Sequence, residues 1–490
     1  MQTFSNEQRE SLDFENSSIQ SIYATRSELG SFFAAQRQAF SKQPERTYPQ
    51  RKSDLQRLHH AFLSHQHEFS EALNQDFGHR AGYDSMLLDV LPTAQQFRYT
   101  LSRLKSWMKP SRRHVGMALW PASVKVHYQA KGVVGIIVPW NVPLMLSFGP
   151  LMTALAAGNR VMLKLSEFTP QFNRVCKTVI EQCFESHQVA VIEGEADIAA
   201  EFSALPFDHL LFTGSTQVGR HVMATAAKNL TPVTLELGGK SPVLIAPDCD
   251  IEFAVNRLMM GKCLNAGQIC IAPDYILCPQ DKVEAFKASF KKLFLARYPK
   301  GIASKDYSSI INARQYARLK TILTDAERLG ASISPVMEPS CDDEVHRMLP
   351  HLISDVSDDM AVMQDELFGP ILPIVSYQTF DQALAYVNER PRPLALYLMS
   401  LDKKVQSEVL SRTHSGGVAL NETLYQCAAD DAPFGGIGPS GMGHYHGKEG
   451  FITFSHAKTV FKRGRLTTAA LVTPPYQRWW QKVLFKVLVR

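Results

Sequence analysis

In the first hundred residues the apolar positions recur at helical spacing. Leu55, Leu58, Phe62 and Phe69 lie three, four and seven residues apart, the spacing of one buried helix face. Three amphipathic helices are predicted, near 26–43, 51–76 and 84–108, the last ended by Lys109-Pro110. Residues 1 to about 25 are polar and read as a frayed arm. The period then falls to two: Val124, Val126 and Tyr128 alternate with Lys125, His127 and Gln129, which predicts a strand in a hairpin with one wet face.

From 131 to 245 the alternation gives way to short apolar runs, such as Val133–Val138, Arg160–Leu165 and His209–Phe212, separated by helical segments. A strand apolar on both faces belongs in a parallel sheet covered by helices on both sides. The same rhythm returns over 250–415, with helices near 281–297 and 312–329 and strands near 371–376 and 394–400. Two α/β units are expected, without a linker or a fixed-period repeat.

At 490 residues the chain exceeds one ordinary core, in line with two or more units. The net charge of +5 is small for this length, with acidic and basic residues mixed almost everywhere, so no nucleic-acid partner is expected. No basic start leads into an apolar run, and no apolar run approaches the ~20 residues that cross a bilayer. The eight cysteines show no paired metal spacing and read as reduced thiols in a cytoplasmic protein.

Several strand ends carry chemistry. Asn265-Ala266-Gly267-Gln268-Ile269-Cys270 presents a cysteine after a small, flexible turn, either as a reactive thiol or as a buried structural one. A larger side chain at Gly267 is expected to obstruct whatever approaches that thiol. Pro139-Trp140-Asn141-Val142-Pro143 offers an amide donor at a strand end, or an Asx turn. Lys164-Leu165-Ser166-Glu167 suits ribose hydroxyls, or a surface ion pair. Phe212-Thr213-Gly214-Ser215-Thr216-Gln217-Val218-Gly219 opens a helix with amides fit for a pyrophosphate. Glu236-Leu237-Gly238-Gly239 and Gln364-Asp365-Glu366-Leu367-Phe368-Gly369 each set a carboxylate before a tight turn. Gly436-Ile437-Gly438-Pro439-Ser440-Gly441 matches the dinucleotide fingerprint but follows no strand and contains Pro439, so it reads as a backbone-tight structural loop. His444 and His446 have no further ligand at metal spacing and read as ordinary hydrogen-bonding histidines.

These blocks, in this order over about residues 26–463, resemble the aldehyde dehydrogenase superfamily. Leu230-Thr231-Pro232-Val233-Thr234-Leu235-Glu236 resembles the class 3 branch. Asp76–Arg80, Leu205–Phe212 and Phe451–His456 look most like coniferyl aldehyde dehydrogenases. The resemblance implies an α/β fold with a Rossmann-like cofactor domain (26–110 and 131–238), a catalytic domain (239–452) and a small β oligomerisation arm (111–130 and 453–464). It implies Cys270 as nucleophile, Asn141 with the Cys270 amide as oxyanion donors, and Glu236 as the base, with Glu366 as a rival base. Trp140, Lys164, Glu167, Gly214, Ser215, Gly219, Leu237, Gly238, Glu366 and Phe368 would contact NAD or NADP, with NAD favoured by the carboxylate at the ribose. No metal is implied. Val142 departs from the aromatic expected beside Asn141. The implied reaction is oxidation of an aldehyde to its acid, coniferyl aldehyde to ferulate first and medium- or long-chain aliphatic aldehydes second, in a homodimer. A non-catalytic relative would be expected to have lost the thiol, the asparagine or the carboxylate.

Beyond this core, residues 465–490 form a tail. Arg478, Lys482, Lys486 and Arg490 fall at four-residue steps, with Trp479, Trp480, Val483, Leu484, Val487 and Leu488 between them. This predicts a basic amphipathic helix that either docks on the enzyme or lies on a membrane surface, the latter favouring apolar aldehydes.

Overall fold

The computed structural model describes residues 28–116, 119–466, 473–476 and 478–489. The polar stretch read as a frayed arm lies outside them. Two sheets dominate. In the six-stranded sheet the order is Gly441–Met442, Val233–Glu236, His209–Thr213, Val133–Ile137, Arg160–Lys164, Val189–Ile192. All pairs are parallel except the first, where Gly441 faces Glu236. Strand order reverses between Val133–Ile137 and His209–Thr213, and ligands of open α/β sheets gather outside the carboxyl ends at such a reversal.

The apolar runs explain the layering. Val134 and Ile136 pack into a core with helices Tyr48–Ser64, Leu91–Trp107 and Pro143–Ala157, while Val133 and Ile137 face a second core built with Ile198, Phe202 and Val222. Alternate residues of one strand thus bury on opposite faces, which is why the run carries no polar alternation.

A seven-stranded sheet runs Ser332–Pro335, His351–Ser354, Ile371–Tyr377, Tyr275–Pro279, Pro242–Ile245, Ala395–Met399, Gly417–Leu420. Only its edge pair, Ser332–Pro335 with His351–Ser354, is antiparallel. The strand predicted at 123–129 spans Ser123–Ala130 and sits between Ser111–Arg113 and Ser455–Lys462 in a small antiparallel sheet.

Two predicted helices are interrupted. The 51–76 segment breaks at His65, whose ring Nδ1 lies 2.8 Å from the Ala61 carbonyl. The 84–108 segment begins as Gly82–Ser85, widens into a π-turn over Met86–Val90 and resumes at Leu91–Trp107. Pro92 lacks the N–H that would continue the ladder, and the widened turn delivers Leu87, Leu88 and Leu91 to the pocket described next.

Candidate active site

The cysteine loop follows helix Ile251–Cys263 and is wound left-handed at three successive residues, Asn265 (φ 50°), Ala266 (φ 51°) and Gly267 (φ 74°). Alanine gains nothing from that conformation, and such residues cost ~1–3 kcal/mol each unless their surroundings enforce them. Here the bracing is dense. The Asn265 N–H donates to Asp84 Oδ2 (2.9 Å), which also accepts from Ser308 Oγ (2.6 Å). Asn265 Nδ2 donates to the carbonyls of Asn141 and Gln268, both 3.2 Å away. Gln268 Nε2 donates to Asn265 and Ser309 carbonyls (2.9 and 3.0 Å), and its Oε1 accepts from the Ile311 N–H (3.0 Å). Gly267 is required for a different reason from the one its sequence predicts. A Cβ there would sit 2.7 Å from the Gly369 carbonyl oxygen, inside the protein rather than in the approach to Cys270.

Cys270 ends this loop partly exposed at the floor of a pocket. Burial pushes its thiol well up, reinforced by Glu366, Cys427 and Glu236. Asn141, from the turn after Val133–Ile137, donates through Nδ2 to the Gln268 carbonyl (3.2 Å), which ties it to the cysteine loop. Glu236 closes strand Val233–Glu236, buried, with neither carboxyl oxygen partnered among the described residues; burial raises its pKa well above the usual range. Glu366 is pushed up to about 8, by burial first and Asp274 second, against the Gly239 N–H, Lys240 and Arg318. Its loop is anchored by Arg318 to the Glu366 and Leu367 carbonyls (3.2 and 2.6 Å) and by Leu367 N–H to Asp274 (2.9 Å), which pairs with Lys240.

On the reversal side, Ser215 caps helix Thr216–Ala227, its Oγ accepting from Val218 N–H at 3.4 Å. Gly214 lies beneath Phe212, where a Cβ would meet Cζ at 2.5 Å, and Gly219 packs on Leu237, a Cβ there falling 2.6 Å from Cδ2. Gly219 therefore lets the helix approach the residue that follows strand Val233–Glu236, and Gly214 makes room for the Phe212 ring. Lys164 is buried, with Nζ donating to the Leu165 and Gly194 carbonyls (2.7 and 2.6 Å). Glu167, Glu195, Asp197 and Glu193 all act on its charge, so the lysine stands within an acidic rim. Trp140 and Phe368 meet edge to face at 5.2 Å, with Phe368 held at φ 47°. A Cβ on Gly238 would collide with the Glu366 carboxylate. Capped helix amides, a lysine beside a partly exposed carboxylate, and glycines that keep the crevice open fit a nicotinamide dinucleotide.

The pocket over Cys270 measures about 520 Å³. Its walls are aliphatic and aromatic, including Leu87, Leu91, Met145, Met260 and Phe434. Val142, where an aromatic was expected, is buried and lines it. Three groups went unnoticed in the sequence: Cys427, Tyr445 and the π-turn leucines. His446 corrects an expectation. It is 1% exposed, lies against Phe434 (5.4 Å) and Tyr445 (4.4 Å), and neither ring nitrogen has a hydrogen-bond partner among the described residues. Burial, aided by His444, lowers its pKa to about 4, so it enters the pocket as a neutral imidazole. The Gly436–Gly441 loop is tight as predicted: a Cβ at Gly436 or Gly441 would strike backbone, and Gly441 pairs with the Glu236 strand.

Asn141 and Cys270 thus line one pocket, and the carboxyl groups of Glu366 and Glu236 both act on the thiol. The chain belongs to the aldehyde dehydrogenase family, whose model matches residues 14–460. It is similar to the probable coniferyl aldehyde dehydrogenase of Pseudomonas aeruginosa, 50% identical over 94% of this chain and 97% of that one. The coniferyl aldehyde dehydrogenase of a Pseudomonas species is 42% identical over 88% and 90%. Among solved structures, the substrate-bound state of Staphylococcus aureus AldH superposes with a TM-score of 0.89 at 36% identity, covering 94% of this chain and 99% of that one. A Mycobacterium tuberculosis aldehyde dehydrogenase complexed with NAD+ gives a TM-score of 0.82 at 26% identity, covering 90% and 92%.

Proposed function

We propose that this aldehyde dehydrogenase oxidises coniferyl aldehyde to ferulate, with NAD preferred over NADP. Similarity to relatives named for that aldehyde carries the reading. The pocket supports it: apolar walls suit an aromatic ring, and the two unpartnered nitrogens of His446 suit a ring hydroxyl. A site that hydrogen-bonds a substrate hydroxyl discriminates against the analogue lacking it. The acidic rim around Lys164 supports NAD, since Glu193, Glu195 and Asp197 would repel a 2′-phosphate.

In this reading Cys270 gives up its thiol proton to water and Sγ adds to the aldehyde carbon, because a planar carbon must become tetrahedral before it can give up hydride. Asn141 Nδ2 and the Cys270 N–H hold the oxyanion that forms. The dinucleotide, when bound, supplies the hydride acceptor. Lys164 and Glu167 hold the adenosine ribose, Gly214 and Ser215 the pyrophosphate, and Trp140, Leu237, Gly238, Glu366 and Phe368 the nicotinamide end, with Gly219 keeping helix and sheet close. Glu236 then takes a proton from the water that attacks the thioester, and the acid leaves. Residues 26–110 and 131–238 serve as the cofactor domain and 239–452 as the catalytic domain. The exposed edge strand Ser455–Lys462 supports a homodimer joined through 111–130 and 453–464.

The second reading, an aliphatic aldehyde, draws on the leucines of the π-turn and on 38% identity to the 4,4'-diaponeurosporen-aldehyde dehydrogenase of Staphylococcus aureus. A panel of coniferyl aldehyde, cinnamaldehyde, hexanal and hexadecanal, at fixed NAD and NADP, tests both. The highest kcat/KM for coniferyl aldehyde with NAD is expected; a preference for hexadecanal would replace the first reading with the second.

A further inference from the structure

Charge in this chain is segregated, although the sequence looks mixed at first sight. Residues 90–166 hold ten Lys or Arg and no Asp or Glu; residues 450–490 hold eight and none. The remainder carries 34 basic against 47 acidic residues. The three-stranded sheet, Ser111–Arg113, Ser123–Ala130 and Ser455–Lys462, is built wholly from these two acid-free stretches. Arg112, Arg113, Lys125, Lys458 and Lys462 are all exposed on it.

The tail extends the same character. Helix Trp479–Leu488 turns Trp480, Gln481 and Leu484 inward, Gln481 being buried and bonded through Nε2 to the Thr473 carbonyl (3.2 Å). At 100° per residue, Trp479, Lys482, Val483, Lys486 and Val487 share the opposite side. All five are exposed, Trp479 at 78% and Val487 at 61%. The helix has ten residues, and no described helix is long and apolar enough to cross a membrane. The family match ends at residue 460, so this helix adds to the shared architecture.

We infer that the C-terminal helix seats the enzyme on an anionic bilayer surface. The argument is charge complementarity joined to exposed apolar side chains. Basic residues alone would equally suit nucleic acid. A tryptophan and two valines interleaved with lysines suit the headgroup region, where the indole partitions and the lysine stems reach past apolar contacts to phosphate. The helix would lie in the plane of the surface, anchored by attraction to many headgroups. This stands independently of which aldehyde the pocket takes.

The test uses the full-length enzyme and extruded vesicles, of phosphatidylcholine alone or with about one third phosphatidylglycerol. Co-sedimentation with the anionic vesicles is expected at ~0.05 M salt, falling at least ~10-fold at ~0.5 M salt or with phosphatidylcholine alone. Lys482→Gln with Lys486→Gln should weaken binding by on the order of 10-fold and leave benzaldehyde turnover unchanged. Trp479→Ser should reduce the fraction still bound at high salt. Enzyme that stays in the supernatant, or binding that ignores these substitutions, would overturn the proposal. So would tighter binding to duplex DNA than to vesicles. A change of oligomeric state in the Lys482/Lys486 variant, seen by sedimentation velocity without vesicle binding, would assign the helix to a second copy of the chain instead.

Discussion

On the cysteine side of the pocket, Asn265, Gln268, Asp84 and Ser308 exchange hydrogen bonds at 2.6–3.2 Å around three left-handed residues. Facing them, Glu236 and His446 are buried without a hydrogen-bond partner among the described residues. The first wall holds its left-handed residues with contacts already made, although Asn265 Oδ1 has no partner among the described residues. The second leaves both Glu236 oxygens and both His446 nitrogens open to contacts from reactants. Rigid placement of the nucleophile is thus separated from groups whose protonation follows what binds, and substitutions on the two sides should fail differently.

The largest effect is expected at Cys270. Cys270→Ser should lower NADH production from any aldehyde by on the order of 10⁴-fold or more, without a change in Tm. Glu236→Gln should slow hydrolysis by ~10²–10⁴-fold while sparing the first turnover, so that stopped-flow absorbance shows a burst. The pH dependence follows from the sign of the shift. A raised carboxyl pKa means the base is populated only as pH climbs through it, so hydrolysis in the native enzyme should accelerate as pH rises above the ordinary carboxylate range. A rise with pH that survives Glu236→Gln would move the base elsewhere, with Glu366, at about 8, next in line.

Asn141→Ala should reduce kcat by ~10²–10³-fold. Asn141 also touches the cysteine loop, so the comparison sharpens if Tm is followed beside turnover. Gly267→Ala should lose both together. Its Cβ meets the Gly369 carbonyl and its φ of +74° disfavours any side chain, so a loss of several degrees in Tm is expected. The smallest effect belongs to His446→Phe. It should leave folding and cinnamaldehyde turnover nearly intact and lower kcat/KM for coniferyl aldehyde by ~10-fold.

Much of this was legible in the sequence because strand ends advertise themselves. An apolar run followed by Asn141, by Lys164, by Gly214-Ser215 or by Glu236 marks the carboxyl edge of a sheet, and the structure places those residues at the carboxyl ends of strands in the one six-stranded sheet. Groups that reach the pocket from elsewhere were hidden. Leu87 and Leu91 line the pocket from the π-turn and the residue that follows it, an irregularity that helical periodicity does not reveal. Cys427 and Tyr445 lie more than 150 residues after Cys270 and gather there through tertiary packing alone. His446 carries no local signal of its unpaired nitrogens, since an orphaned atom is a property of what fails to surround it. Gly267 shows the opposite error: the residue was singled out correctly, but the clash that demands it comes from Gly369, about a hundred residues away.

The most direct measurement traps the acyl-enzyme. Glu236→Gln enzyme, quenched in acid during turnover of coniferyl aldehyde with NAD, should carry one feruloyl group, localised by peptide mass spectrometry to Cys270. An adduct on Cys427, or none while ferulate still forms at the native rate, would contradict the division between a braced nucleophile and a waiting base.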